Sequence, residues 1–404
     1  MMRLAGLAAL ALAVLQSAED LPRRRDAISA RIEELRREKI GIPIGIDVGS
    51  RKEGAATALE QARELYGGDL AGFERVLKAL GLIPPALKLE LAIPTFAATS
   101  MKSYVTGGAL RVLDPALPDD ELAYRLTLAW SERALAGAPP PAGTFDARMA
   151  RLAVRHGDAD MTKQLFWAGL RVDGVRPETH LKRLIEGAEK WERETSGFAG
   201  LVAPRFLVRS SDFMWRRGGI FMETMRHQGG SGRLRYIYRR PPETTEQILH
   251  PEKYLTQEAA ATLDLKPLED LVAARKGSPV FRTTLGELGT ALLLESIEAK
   301  TKPEASQGWA GDVFRAWTEG SRLLVAWCVA WDTEKDAREF EDAAAAAAFA
   351  INGRDEAAQA FVIRKGRGAA FVLNCPAAFK ASLIESLWKV TRTAGGVTEP
   401  IGQD

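Results

Sequence analysis

Histidines are the scarcest of the side chains that commonly bind metal or move protons in this 404-residue chain, apart from two cysteines, and none of His156, His180, His227 and His250 stands three or four residues from another. That spacing is what lets two imidazoles on one helix face grip a single zinc ion, so no ready-made ligand pair is written here. The remaining candidates are equally incomplete. Ser210-Ser211-Asp212 has no base partner that would turn a hydroxyl into a nucleophile. Gly218-Gly219 and Gly229-Gly230-Ser231-Gly232 lack the Gly-Lys-Ser/Thr ending of a phosphate loop and read as turns. Residues 205–240 mix many arginines with Phe213, Trp215, Phe221, Tyr236 and Tyr238, which could stack on nucleic acid or carbohydrate. An ordinary amphipathic segment is the favoured reading.

Several separated stretches, taken in order, say more. Gly107-Gly108 precedes a strand, Leu126-Thr127-Leu128-Ala129 ends a helical run, and residues 146–159 read Asp-Ala-Arg-Met-Ala-Arg-Leu-Ala-Val-Arg-His-Gly-Asp-Ala. Residues 241–254 read Pro-Pro-Glu-Thr-Thr-Glu-Gln-Ile-Leu-His-Pro-Glu-Lys-Tyr, followed by Leu-Gly-Glu-Leu-Gly at 285–289 and Gly-Trp-Ala-Gly-Asp at 308–312. Together these resemble a bacterial family of gluzincin-like zinc metallopeptidases, over a span from about residue 80 to about residue 340. In that family a Thr-Leu-Ala-like lead runs into His-Glu-x-x-His, and a later Glu-Gly-Asp-Ala supplies the third zinc ligand. The paired histidines hold the metal and the glutamate activates its water.

The resemblance implies that these positions are substituted here. The favoured register places Trp130 and Ala134 at the two histidine positions and Ser131 at the glutamate position, because Leu126 to Ala129 matches the lead. An indole is no practical ligand, a methyl has no donor atom, and a serine hydroxyl is a poor base near neutral pH. A second register lies on Asp120-Glu121-Leu122-Ala123-Tyr124; it keeps Glu121 but puts Asp120 and Tyr124 at the ligand positions. A phenol, with an ordinary pKa of about 10, seldom coordinates. The third ligand becomes His156, with Asp158 and Asp160 close behind it. His250 and Tyr254 belong to a retained stretch, where packing is favoured over contact with a ligand.

The expectation is therefore a pseudopeptidase: a zincin-like core without its zinc, serving as a binding or interaction scaffold, with peptide or protein in the old cleft. Its candidate cleft residues are His156, Asp158, His250 and Tyr254, and neither a metal nor another cofactor is expected. The alternative is a hydrolase with a metal site rebuilt from Asp120, Glu121 and His156. A structural protein with no ligand is the third reading.

The elements that must position these residues follow from periodicity and punctuation. Helices are expected over 21–40, 52–66 and 70–80, a strand over 109–113, and long helices from 119 to 135, 145 to 167 and 177 to 194. Hairpins are expected around Glu319-Gly320 and around Gly366-Arg367-Gly368, each followed by a helix, with 323–331 apolar on both faces as in a covered strand. The fold class is α+β: a helical N-terminal region at 19–85, a zincin-like peptidase core at 86–260, and an α+β region at 261–404 with two hairpin-plus-helix units packed on the core.

A short positive start and the apolar run from Leu4 to Leu15, ahead of Gln16-Ser17-Ala18, have the layout of a secretory signal at 1–18. Export to the periplasm, the envelope or the outside is the expectation, with membrane attachment only if that segment stays uncleaved. Oxidising surroundings would allow Cys328 and Cys375 to pair, and two buried thiols are an equal alternative. With 55 basic and 53 acidic side chains, the net charge of +2 provides no general drive toward nucleic acid. Nothing in the sequence fixes the oligomeric state.

Overall fold

Apolar stripes decide the N-terminal half. Leu21, Ile28, Ile32 and Leu35 fall on one side of the first helix, α1 (20–36), and all are buried. Arg37 then takes a positive φ of 52° and stops it, four residues short of the expected end. The computed structural model describes residues 20–39, 41, 43–168, 181, 182, 185–187, 190, 205–298, 302–320, 322–354 and 359–402. The expected signal segment, His180 and most of the expected helix over 177–194 lie outside these residues.

Three short strands make the first sheet. β1 (Ile46–Val48) runs parallel to β3 (Ala109–Val112), which pairs antiparallel with β2 (Ser103–Thr106) across the Gly107-Gly108 turn. Neither β1 nor β2 is expected from sequence, since each is too short to show an alternating pattern. Between them lie α2 (Arg51–Leu65), capped by the Ser50 hydroxyl, α3 (Leu70–Ala79), capped by the Asp69 carboxylate, and α4 (Leu89–Ser100). The region 19–85 is thus helical but contributes one strand to a sheet.

α5 (Asp119–Leu135), α6 (Phe145–Ala168) and α7 (Arg205–Arg239) pack together, and glycine sets how closely. A Cβ on Gly157 would lie 2.2 Å from the backbone of Gly218, and one on Gly218 would lie 2.2 Å from the carbonyl oxygen of Ala153. Gly218-Gly219 is therefore not a turn; it is the point where α7 lies backbone against backbone on α6. Gly229 and Gly230 do break the helical conformation, as a kink within α7.

Beyond α8 (Thr245–Leu249) and α9 (Pro251–Leu255), strands return. β4 (Thr262–Asp264), α10 (Lys266–Ala274), β5 (Ser278–Thr283), α11 (Gly286–Ile297), β6 (Trp309–Glu319), β7 (Arg322–Trp331) and α12 (Glu334–Arg354) follow in order. β8 (Ala360–Lys365), β9 (Gly368–Leu373), α13 (Lys380–Leu387), β10 (Thr391–Ala394) and β11 (Val397–Pro400) complete the described chain. The two expected hairpins are present but do not form separate units. They share one five-stranded antiparallel sheet in the order β5-β6-β7-β9-β8, while β4, β10 and β11 make a third, small sheet.

β7 is covered on both sides, as its sequence implies. Leu323, Val325, Trp327, Val329 and Trp331 face the main core, whereas Leu324, Ala326, Cys328 and Ala330 face a second core with α10 and α13. The main core runs from Leu21 to Leu373, so apolar packing is continuous across the expected boundary at residue 260. Cys328 and Cys375 are both buried, and no disulfide joins them. No helix among the described residues is long and apolar enough to cross a membrane.

Candidate functional site

Of the positions singled out on α5 and α6, Trp130 and Asp158 converge around a cation that the protein supplies itself. On α6 the buried stripe Ala150, Val154, Asp158, Thr162 carries a carboxylate at one of its inward positions, and Asp158 is completely shielded from solvent. Such a group needs a partner. It finds Arg36, four residues after Ile32 on the inward side of α1, whose Nη1 donates to Asp158 Oδ1 at 2.7 Å and to Thr162 Oγ1 at 2.9 Å. The Tyr238 hydroxyl donates to the other carboxylate oxygen. Arg36 also reaches Glu38 at 3.3 Å.

Trp130 closes this arrangement. The Arg36 guanidinium carbon lies 4.7 Å from the indole centroid, within range of a cation–π contact, and Tyr238 meets the same indole edge-on at 4.8 Å. The attraction of Asp158 keeps Arg36 charged despite burial and raises its pKa, while burial and the adjacent Asp158 charge push the Tyr238 phenol well up. Hence Tyr238 keeps its hydrogen and donates it to Asp158 at any ordinary pH.

Ser131 is wholly buried, and its hydroxyl donates back to the Leu128 carbonyl at 2.8 Å, so it faces no substrate. Ala134 is partly buried beside the main core. His156 lies two residues from both Val154 and Asp158, away from the buried stripe, where its Nδ1 shares a hydrogen with the Tyr124 hydroxyl at 2.7 Å. Burial, with Arg155 and Arg125 nearby, lowers the imidazole to about 3, which leaves it neutral. Neutral imidazole is the form that binds metal, but one ring nitrogen here is already engaged.

The second register and the rebuilt site fare differently from expectation. Glu121 is held by Arg125 and by Lys163 at 2.7 Å, and these cations lower its pKa in spite of partial burial; Asp120 lies 3.9 Å from the same Lys163. Tyr124 and His156 meet, but Asp120, Glu121 and His156 do not converge on one point. Among the described residues, the acidic group with the geometry of a cation site is Glu246, Glu258 and Asp332. The Lys253 ammonium sits among them, at 2.7, 2.8 and 2.9 Å.

His250 and Tyr254 belong to that second neighbourhood, so the four expected cleft residues do not line one cleft. Tyr254 is buried edge-on against Phe221, with its hydroxyl on the Arg240 carbonyl, and His250 Nε2 is 3.0 Å from Glu287. The retained stretches meet here. Asp146 accepts from the Thr245 amide and hydroxyl, and Asp312 accepts from the amides of Leu285 and Gly286 and from the indoles of Trp309 and Trp327. Gly286, at φ +71°, lies so close to Asp146 that a Cβ would be 1.8 Å from its Oδ1. One groove among the described residues, about 530 Å³ along α4 beside Leu91 and Phe96, contains none of the singled-out residues.

Arg36 and Tyr238 escape sequence reasoning. Arg36 is one arginine in a charged helix, and Tyr238 one aromatic in an arginine-rich run. The signal that was available is the inward phase of each: Arg36 follows Ile32 by four, and Tyr238 follows Leu234 by four.

These features describe an α+β protein in which Arg36 pairs with the buried Asp158 and Lys253 occupies the acidic group of Glu246, Glu258 and Asp332. Residues 275–376, from β5 through β9, match a family described as "Domain of unknown function (DUF8575)". No curated protein and no solved structure matches the chain.

Proposed function

We propose that the chain is an exported, catalytically inactive relative of gluzincin-like zinc metallopeptidases that acts as an interaction scaffold in the cell envelope. The observation that carries this reading is the Arg36 guanidinium, held by Asp158, Thr162 and Trp130 beside the positions where the resemblance puts the metal chemistry. A fixed side-chain cation meets the charge requirement of Asp158, and the large indole occupies the space where a ligand would stand. Because this locus is filled, the scaffold works through its outer surface. Peptide held in the old cleft loses support, and so does a rebuilt peptidase, whose Glu121 is engaged by Arg125 and Lys163.

Metal analysis of protein purified without chelator, with casein hydrolysis measured alongside, tests the reading. Substoichiometric zinc and no cleavage above a blank are expected, with or without added zinc. One tightly bound zinc per chain, lost in the His156→Ala variant, would sink it. Fractionation of cells carrying a C-terminally tagged chain checks export, and recovery with the cytosol would overturn that part.

A further inference from the structure

Part of the boundary between the segment matched by the family of unknown function and the rest of the chain is a seam of ionisable groups beside the apolar core, which the metal positions do not explain. Glu287, Asp312 and Asp332 approach from the matched side; Asp146, Glu246, His250, Glu252, Lys253 and Glu258 approach from outside it. Glu287 pairs with His250, Asp332 and Glu258 share Lys253 with Glu246, and Thr245 ties Asp146 on α6 to the Leu288 amide on α11. Asp146, Glu246, Glu287 and Asp312 are all buried. Carboxylates outnumber cations, and one of the two cations is a histidine.

We propose that this seam is a proton-operated latch, closed while its buried carboxylates and His250 share protons and loosened when those protons leave. Its neighbours are the ones just named: Asp146 from α6, Glu246 from α8, His250, Glu252 and Lys253 around α9, Glu258 after it, Glu287 from α11, Asp312 from β6, and Asp332 after β7. Removing protons from such a set adds negative charge to a low-dielectric space that holds one permanent cation, Lys253.

Asp146, Glu246, His250, Lys253, Glu287 and Asp312 are all shifted in the same direction, upward. Burial pushes Glu246 up to about 8 and Asp146 to about 7, and Asp312 to about 6 against its four N–H donors. Hydrogen bonding to Glu287 raises His250. A group raised in the folded state contributes stability that is complete below its unfolded pKa and is lost as pH rises through its folded value. The latch is therefore tightest below about pH 4 and loosens progressively from there to about pH 8. His156 is lowered and acts in the opposite direction, but it lies in the other neighbourhood. The inference is independent of the peptidase resemblance.

Hydrogen exchange read by mass spectrometry on the full chain, at about pH 5.5 and about pH 8.5 with correction for intrinsic rates, tests it. Amides of α11 and the start of β6 are expected to lose protection roughly tenfold or more at the higher pH, the effect of one proton held a unit too tightly. Amides where α6 crosses α7 should change less. Glu246→Gln, which keeps an acceptor for Lys253 but does not titrate, should reduce the pH dependence of the seam, as should Asp146→Asn. Seam protection equal at both pH values in the wild-type chain overturns the latch even if neither variant folds. Undiminished pH dependence in both variants, if they fold, overturns it too.

Discussion

Replacing Arg36 by methionine should lower stability by about 3–5 kcal/mol, read as a shift of the urea midpoint followed by tryptophan fluorescence. The apolar stem is retained, so the loss isolates the charge. What remains is a carboxylate with no solvent exposure, one phenol and no cation. The Trp130 ring also loses its cation, a contact of up to about 2 kcal/mol when desolvated. Adding Asp158→Asn to Arg36→Met should recover much of the loss, because a neutral amide is far less costly to bury alone. A loss below about 1 kcal/mol for the single variant would mean that Arg36 does not neutralise Asp158, and the account of the filled site would fail.

Gly218→Ala should be at least as damaging. In an exposed helix this change adds about 1 kcal/mol of stability. Here the new methyl carbon would sit 2.2 Å from the Ala153 carbonyl oxygen and 2.9 Å from its carbon, on backbone that cannot rotate away. Separating α6 from α7 is the only relief, and it would also pull Asp158 from Tyr238. A cost of roughly 3 kcal/mol or more is expected, measured by urea unfolding, with Gly157→Ala behaving alike. Gly232→Ala, on the same helix with open space around its Cβ, is the control and should change little. Equal midpoints for Gly218→Ala and Gly232→Ala would remove the close-crossing argument.

Much of the architecture was legible wherever a local pattern was sufficient. The bounds of α2, α3, α5 and α6 lie within a residue or two of those read from periodicity, and the covered character of β7 is visible in an unbroken apolar run. Strands of three residues, β1 and β4, carry too little pattern to be seen, whereas β3 is legible because glycines and Asp114-Pro115 bracket it. Gly218-Gly219 was misread because paired glycines usually punctuate a chain; only the approach of Gly157, distant in sequence, makes them a packing surface. The candidate site divides the same way. His156 and Trp130 could be singled out from motifs, but their roles depend on partners that the chain brings from afar: Arg36 is 122 residues from Asp158, and Tyr238 is 80 residues from it. Nor does local sequence show that the retained stretches around Asp146, His250, Glu287 and Asp312 meet at one seam.

The double covering of β7 bears on how the chain is made. Synthesis delivers β5 to β9 before α13 and the turns that follow it, yet Phe379, Leu383, Leu387, Val390 and Ile401 help to close the second core. When Leu373 leaves the ribosome, one side of the sheet still lacks part of its cover. A nascent chain held at that length would present Leu324, Cys328, Ala370 and Val372 to a chaperone. For the same reason, a fragment cut at 275–376 would inherit that wet face permanently, whereas one spanning 261–402 would carry its own lid.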